Sequence, residues 1–296
     1  MRKMLHRFGY TVLYGLSLLP LPVWYGLADI LFILLYYVVR YRRNVVAQNL
    51  MQCFPEWSVR KRRNLEKKYY RHLADLIVES LKALSHSRRQ VVLRCGFSEC
   101  AVELFSRLQE EGRHCIVLMG HLGNWEWACH SMSLQFRFLL QPVYQPIQSP
   151  FFDFVFLRLR SRFGVVPIST DRVARQLLQM PDRLTCTVLI ADQSPQPQQA
   201  KWVPFFHRLT AFHSSGLRLA LRSGHPLVYA VVRRIKRGRY LIDAQRLDAS
   251  AADEAKLLVR FTSLLESDIR KDPSQWLWSH RRWKHQPVQE PAGSTH

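Results

Sequence analysis

A chain of 296 residues can bury a sizeable core, and 48% hydrophobic with 22% charged residues excludes a disordered or low-complexity protein. Charge is the departure: 43 Lys and Arg against 22 Asp and Glu leave a net +21, a field that favours nucleic acid, an anionic membrane surface, or an acidic protein or phosphorylated substrate. Six cysteines without a CxxC pair or tight clustering argue against a disulfide framework and for a reducing compartment.

The N-terminus departs most from a soluble protein. From Phe8 to Val39 there is no basic residue and only one acid, Asp29, while Arg2, Lys3 and Arg7 precede it and Arg40, Arg42 and Arg43 follow. The apolar stretch is too long for a cleaved signal peptide and lacks a small-residue cleavage site. Pro20 and Pro22 break it, so Val23–Val39 is the piece expected to enter a membrane, spanning it or lying at its interface. Basic flanks on both sides leave the orientation open. Arg60 to Arg63 then opens a helix whose apolar residues Tyr69, Leu73, Ile77, Leu81 and Leu84 recur at helical spacing. That basic run reads either as a solvated helix start or as a headgroup contact.

From Val91 onward short strands alternate with helices. Strands are expected at Cys115–Met119, Gln141–Tyr144, Val165–Pro167, Thr187–Ala191, Leu227–Arg233 and Tyr240–Ala244. Helices are expected at Cys100–Glu111, Trp125–Gln135, Pro150–Phe163, Asp171–Met180, Ser214–Ser223 and Asp253–Lys271. The alternation predicts an α/β fold around a largely parallel sheet. Lys236-Arg237-Gly238-Arg239 reads as a hairpin turn, which makes at least one strand pair antiparallel. The polar tail after Gln286 reads as disordered.

Ligands of open α/β sheets gather at the carboxyl ends of strands, and three features fall there. His121-Leu122-Gly123-Asn124-Trp125-Glu126 follows a strand and places a candidate base near a carboxylate. Arg160-Ser161-Arg162-Phe163-Gly164 supplies a cationic pair, and Asp192-Gln193 follows another strand. Each also has a structural reading: a satisfied histidine, solvated cations at a helix end, a turn-capping aspartate. GxSxG, GxGxxG, Walker and HExxH motifs are absent from the sequence. Glu126 and His130, four apart with His121 upstream, lack a convincing fourth ligand for zinc. The apolar helix around Phe151, Phe152, Phe154 and Phe156 reads as core or as the wall of a hydrophobic groove. Trp276-Leu277-Trp278-Ser279-His280-Arg281-Arg282-Trp283-Lys284 mixes aromatics with cations, which suits base stacking, a lipid interface, or packing into the sheet.

Taken together with Arg42-Arg43-Asn44, Asn49-Leu50, Phe54-Pro55-Glu56 and Val203-Pro204-Phe205-Phe206, these segments resemble the bacterial lipid A late acyltransferases of lipopolysaccharide biosynthesis, the lauroyl and myristoyl transferases of HX4E type. The resemblance runs from about Leu16 to Lys284. It implies a glycerolipid-acyltransferase-like fold, with an anchor or interfacial helix over residues 1–45, an acyltransferase domain over 46–285 and a tail over 286–296. It implies an enzyme on the cytoplasmic side of the bacterial inner membrane that moves a fatty acyl group from acyl carrier protein to a hydroxyl of a lipid A precursor. Carried onto this chain, His121 is the general base and Glu126 orients it. Arg160 or Arg162 holds a phosphate or the oxyanion, and Asn124, Asp192 and Gln193 contribute to substrate binding. No metal or nucleotide cofactor is implied, because the thioester is already activated, and no nucleic acid is an expected partner. One departure stands out: after Phe205-Phe206 the family usually has glycine, and here His207-Arg208 follows, a side chain expected to reshape the pocket. Two rivals remain: acylation of another lipid, such as a glycerophospholipid or aminolipid, and a membrane-tethered polyanion-binding protein whose histidine box is structural.

Overall fold

The computed structural model describes residues 2–173, 175, 183–247 and 253–285. Helices α1 (Arg2–Ser17) and α2 (Leu21–Ile33, prolonged by a π-helical turn over Leu34–Val38) are separated at Pro20, where the backbone is extended. The break therefore falls just ahead of the segment expected to insert. Pro22 sits inside the first turn of α2, where its missing N–H costs nothing. Leu21, Trp24, Ala28, Phe32 and Tyr36 recur every three or four residues and form the buried face of α2. Val23, Leu27, Ile30 and Ile33 are apolar and exposed on the other side. The helical span Leu21–Val38 is long and apolar enough, by length and composition, to cross a membrane. Helices α3 (Arg43–Cys53) and α4 (Val59–Lys82) follow, the latter capped by Ser58.

Next come α5 (Arg88–Arg94), β1 (Cys95–Phe97), α6 (Glu99–Glu110), β2 (Cys115–Met119), α7 (Trp125–Gln135), β3 (Leu139–Tyr144), α8 (Pro150–Arg160), β4 (Ile168–Ser169) and β5 (Thr185–Ile190). The chain ends with β6 (Ala200–Phe205), β7 (Arg208–His213), α9 (Ser215–Ser223), β8 (Leu227–Lys236), β9 (Arg239–Leu247) and α10 (Glu254–Lys271). Among the described residues seven strands form one sheet in the order β1-β9-β8-β2-β5-β3-β4, parallel throughout except for the β8–β9 hairpin. Strands β6 and β7 make a separate antiparallel ribbon. The expected mixed, largely parallel α/β sheet is thus present.

Gly238 closes the β8–β9 turn at φ +70°, and the Tyr25 hydroxyl of α2 occupies the space a side chain there would need. Arg237 in the same turn bonds Asp29 and Asp75 at 2.7 and 2.6 Å, tying α2 and α4 to the hairpin. The single acid of the N-terminal apolar stretch is thereby paired.

Strand alternation divides the core. Ile116 and Leu118 of β2 pack with α2, α4, α9 and α10, whereas Val117 and Met119 pack with α6, α7 and α8. Expected Val165–Pro167 is not a regular strand: a tight turn with Phe163 at φ +60° and Gly164 at φ +83° redirects the chain, the Val166 amide makes a single bond to the Leu140 carbonyl of β3, and regular pairing begins at Ile168. The expected helix over Asp171–Met180 falls largely outside the described residues, as does the tail after Gln286.

Candidate active site

Strand β2 ends at Met119 and β5 at Ile190, and these two residues are register partners in adjacent parallel strands. Two residues beyond each lie His121 and Asp192, so the sheet itself brings them side by side. His121 Nδ1 lies 2.5 Å from Asp192 Oδ1, and the His121 backbone N–H donates to Asp192 Oδ2 at 2.8 Å. The Trp276 indole N–H donates to the same oxygen at 2.7 Å. A carboxylate acceptor fixes the Nδ1–H tautomer, which leaves the Nε2 lone pair available as a base. Burial alone would raise the Asp192 pKa; the electrostatic pairing with His121 and the three donors outweigh it and bring it down to about 2. The carboxylate is therefore ionised at any physiological pH.

The loop carrying His121 is locked at both ends. A side chain at Gly120 would collide with Leu265 and crowd Asp192. Gly123 adopts φ +60° and presses against the Val232 carbonyl. The Leu277 and Gly123 amides donate to the His121 and Gln275 carbonyls, pinning the loop to the segment after α10. The tryptophan-rich C-terminal stretch thus resolves into packing: Trp276 and Trp278 are buried, and Trp276 serves the site.

Glu126 does not orient His121. Its two oxygens accept Arg160 Nε at 3.0 and 3.1 Å and Nη2 at 2.6 Å, a forked ion pair beside the histidine rather than a bond to it. Burial works against the Arg160 charge, and Glu126 more than offsets it, holding the guanidinium pKa above its ordinary value. Arg162 turns away: it donates to the Ala83 and His86 carbonyls and so cannot bind substrate in this arrangement. Asn124 is also committed elsewhere. It caps α7 by accepting from the Trp127 amide at 3.0 Å and donates to buried Glu79 at 2.8 Å. Gln193 stays at the site, its side-chain amide 3.4 Å from His121 Nε2. His130 meets the Leu159 carbonyl at 2.9 Å, and among the described residues no three His, Cys, Asp or Glu side chains converge to hold a metal.

His121, Glu126, Arg160 and Gln193 line one cavity of about 520 Å³ at the carboxyl ends of β2, β5 and β3. Trp125 stands edge-on to His121, ring centres 5.0 Å apart. Cys129 also lines the cavity, but burial pushes its thiol up to about 12, so it carries no nucleophilic thiolate at neutral pH. His207 does not reach this space. It lies exposed at the β6–β7 turn against Arg270, outside the cavity wall, so its side chain does not itself shape that wall. A base oriented by a buried carboxylate, facing a cavity with an arginine on its wall, can deprotonate a hydroxyl and steady an anion.

Known proteins resemble this chain over nearly all of its length. It is 24% identical over 289 residues to an Escherichia coli lipid A biosynthesis palmitoleoyltransferase, covering 96% of this chain and 92% of that one. A Shigella flexneri lipid A biosynthesis acyltransferase matches equally, and an Escherichia coli lipid A biosynthesis lauroyltransferase is 26% identical over 295 residues with the same coverage. Residues 1–285 match the bacterial lipid A biosynthesis acyltransferase family, and the chain belongs to it.

Proposed function

We propose that the protein transfers a fatty acyl chain from the thioester of acyl carrier protein to a hydroxyl on an acyl chain of a lipid A precursor, at the cytoplasmic face of the bacterial inner membrane. The observation that carries this reading is the His121–Asp192 pair opening onto the cavity. His121 Nε2 takes the proton of the acceptor hydroxyl as its oxygen bonds to the thioester carbon. The carbonyl becomes a tetrahedral oxyanion, and Asp192 stabilises the imidazolium across Nδ1. When the carbon–sulfur bond breaks, the departing thiolate recovers the proton and the new ester is left. Glu126 acts through Arg160, steadying the guanidinium at the wall, where it meets the oxyanion or a substrate phosphate.

The surroundings suit this chemistry. A net charge of +21 attracts an acidic carrier protein and anionic lipid headgroups. The exposed apolar faces of α1 and α2 offer a contact with the lipid in which the acceptor resides.

Mass spectrometry of product formed from purified acyl carrier thioester and lipid A precursor tests the roles. His121→Ala and Asp192→Asn are each expected to lose about 10²–10⁴-fold in kcat. Arg160→Ala is expected to lose about 10²–10³-fold. Wild-type rates in His121→Ala would overturn the mechanism. Unaltered lipid A mass in a strain lacking the protein would overturn the acceptor.

A further inference from the structure

The cavity draws its walls from both faces of the sheet, and the two faces differ in chemistry. Leu118 and Leu189 are register partners on β2 and β5, and their side of the sheet is covered by α9 and α10. Val188 and Ile190 point to the opposite side, toward α7 and α8. On that second side the wall carries the charged pair Glu126 and Arg160 among apolar groups such as Val188 and Ile190, so a polar headgroup finds its partners there. On the first side it is made by Leu118, Leu189, Gly216, Leu217 and Phe261. His213 and Ser215 are the polar neighbours there, and burial holds the His213 imidazole below its ordinary pKa and so uncharged. His121 stands at the strand ends, where the two sides meet. A saturated hydrocarbon chain gains most from the uncharged side.

Gly216 is the residue in this wall that calls for an explanation. It lies in the first turn of α9, where glycine is the poorest helix former other than proline. Its backbone is not left-handed, so conformation does not require glycine. Space does: a Cβ would stand 2.5 Å from Leu189 Cδ1 and 3.4 Å from Leu118 Cδ2. Any side chain there must displace the end of Leu189, itself a cavity wall. We propose that Gly216 and Leu189 together form the end wall of the apolar side of the cavity and set the length of the acyl chain accepted from the donor. This assignment rests on the acyl-transfer reading above. Burying one methylene is worth about fourfold in affinity, so a wall moved by one methyl group is readable in the product.

The test is a competition among acyl carrier thioesters bearing a ladder of even-numbered saturated chains, with wild type, Gly216→Ala, Leu189→Ala and the double variant. Gly216→Ala is expected to lose about tenfold in kcat/KM for the chain wild type prefers, and to favour one about two carbons shorter. Leu189→Ala should shift preference to a longer chain, and the double variant should return toward the wild-type profile. Melting curves identify any variant that is not folded, and the two single variants push in opposite directions, so one remains decisive. A wild type that transfers at normal rates while every variant keeps its profile overturns the end wall alone. So does a loss shared equally by all chain lengths. Profiles unchanged with a raised KM for the acceptor assign this side to the acceptor's chain and overturn the proposal. A wild type that transfers no chain overturns the acyl-transfer reading and this assignment with it.

Discussion

His207 shows what one side chain costs and what it leaves untouched. The β6–β7 turn places Phe206 at φ +49° and His207 at φ +61°, the left-handed pair required by a two-residue hairpin of strand-compatible twist. Glycine at the position of His207 would fit that geometry, whereas an L side chain there costs about 1 kcal/mol. The imidazole recovers part of this by accepting from Arg270 Nη2 at 3.2 Å. His207→Gly is therefore expected to leave unfolding stability within about 0.5 kcal/mol of wild type, because relief of the left-handed strain is offset by the lost Arg270 contact and by the freedom glycine adds to the unfolded chain, and to leave donor chain preference unchanged. Urea denaturation and the donor competition check both halves; a larger loss of stability would show that the Arg270 contact dominates. The site residues were legible to the same degree. His121 and Asp192 could be placed at neighbouring strand ends from the apolar runs before them, but their pairing depends on the Met119–Ile190 register, which no local pattern encodes. Glu126 is nearer in sequence and was the natural partner to expect. It is the long-range approach of α8 that gives it Arg160 instead.

At the scale of elements, the fully apolar β2 and the strongly periodic α10 were readable, falling on or within one residue of their expected boundaries. The β6–β7 ribbon was not, because Pro204 removes a donor and demotes Lys201-Trp202-Val203-Pro204 as a strand. An isolated ribbon tolerates proline where a central strand does not. Strand β1 spans only Cys95–Phe97 and gains its identity from pairing with β9, not from composition. Helix α2 is the more instructive element. Composition marks it for lipid, yet Trp24, Ala28, Phe32 and Tyr36 are given to packing, and Asp29 is gripped by Arg237. Only one face is left for a bilayer. Ile30 is 65% exposed and Ile33 53%, so Ile30→Glu with Ile33→Glu is expected to reduce binding to anionic vesicles by about tenfold or more. The melting temperature should barely change. Flotation with lipid vesicles reads the first and circular dichroism the second. Undiminished flotation would move the lipid contact to another surface.

The whole molecule carries an acid sensitivity that comes from the burial of histidines. Burial takes the imidazoles of His72 and His86 down to about 3 and those of His130 and His280 down to about 4. His280 depends on that neutrality, since its Nε2 accepts the Ser194 amide at 3.1 Å. An unfolded chain protonates all four near pH 6.5, whereas the folded chain does not until well below that. Stability is thus complete above pH 6.5 and is lost as pH falls from there toward 4, with a slope of up to about 1.4 kcal/mol per pH unit for each group. Glu79 acts in the opposite sense. Burial, opposed by its three hydrogen bonds, lifts its carboxyl to about 6; the folded form therefore takes a proton first, and stability rises from this group as pH falls from 6 to 4.5. One carboxyl cannot cancel four imidazoles. Asp192, held at about 2, adds a further loss only below its unfolded value near 3.8. The melting temperature is therefore expected to fall progressively between pH 6.5 and 4.5. In His86→Phe, which keeps a ring against Trp127 at 4.5 Å, the fall should be shallower by about a quarter of the four-histidine term. Calorimetry of the full-length protein in matched buffers measures both slopes; equal slopes in the two proteins would mean that His86 is already charged in the folded state.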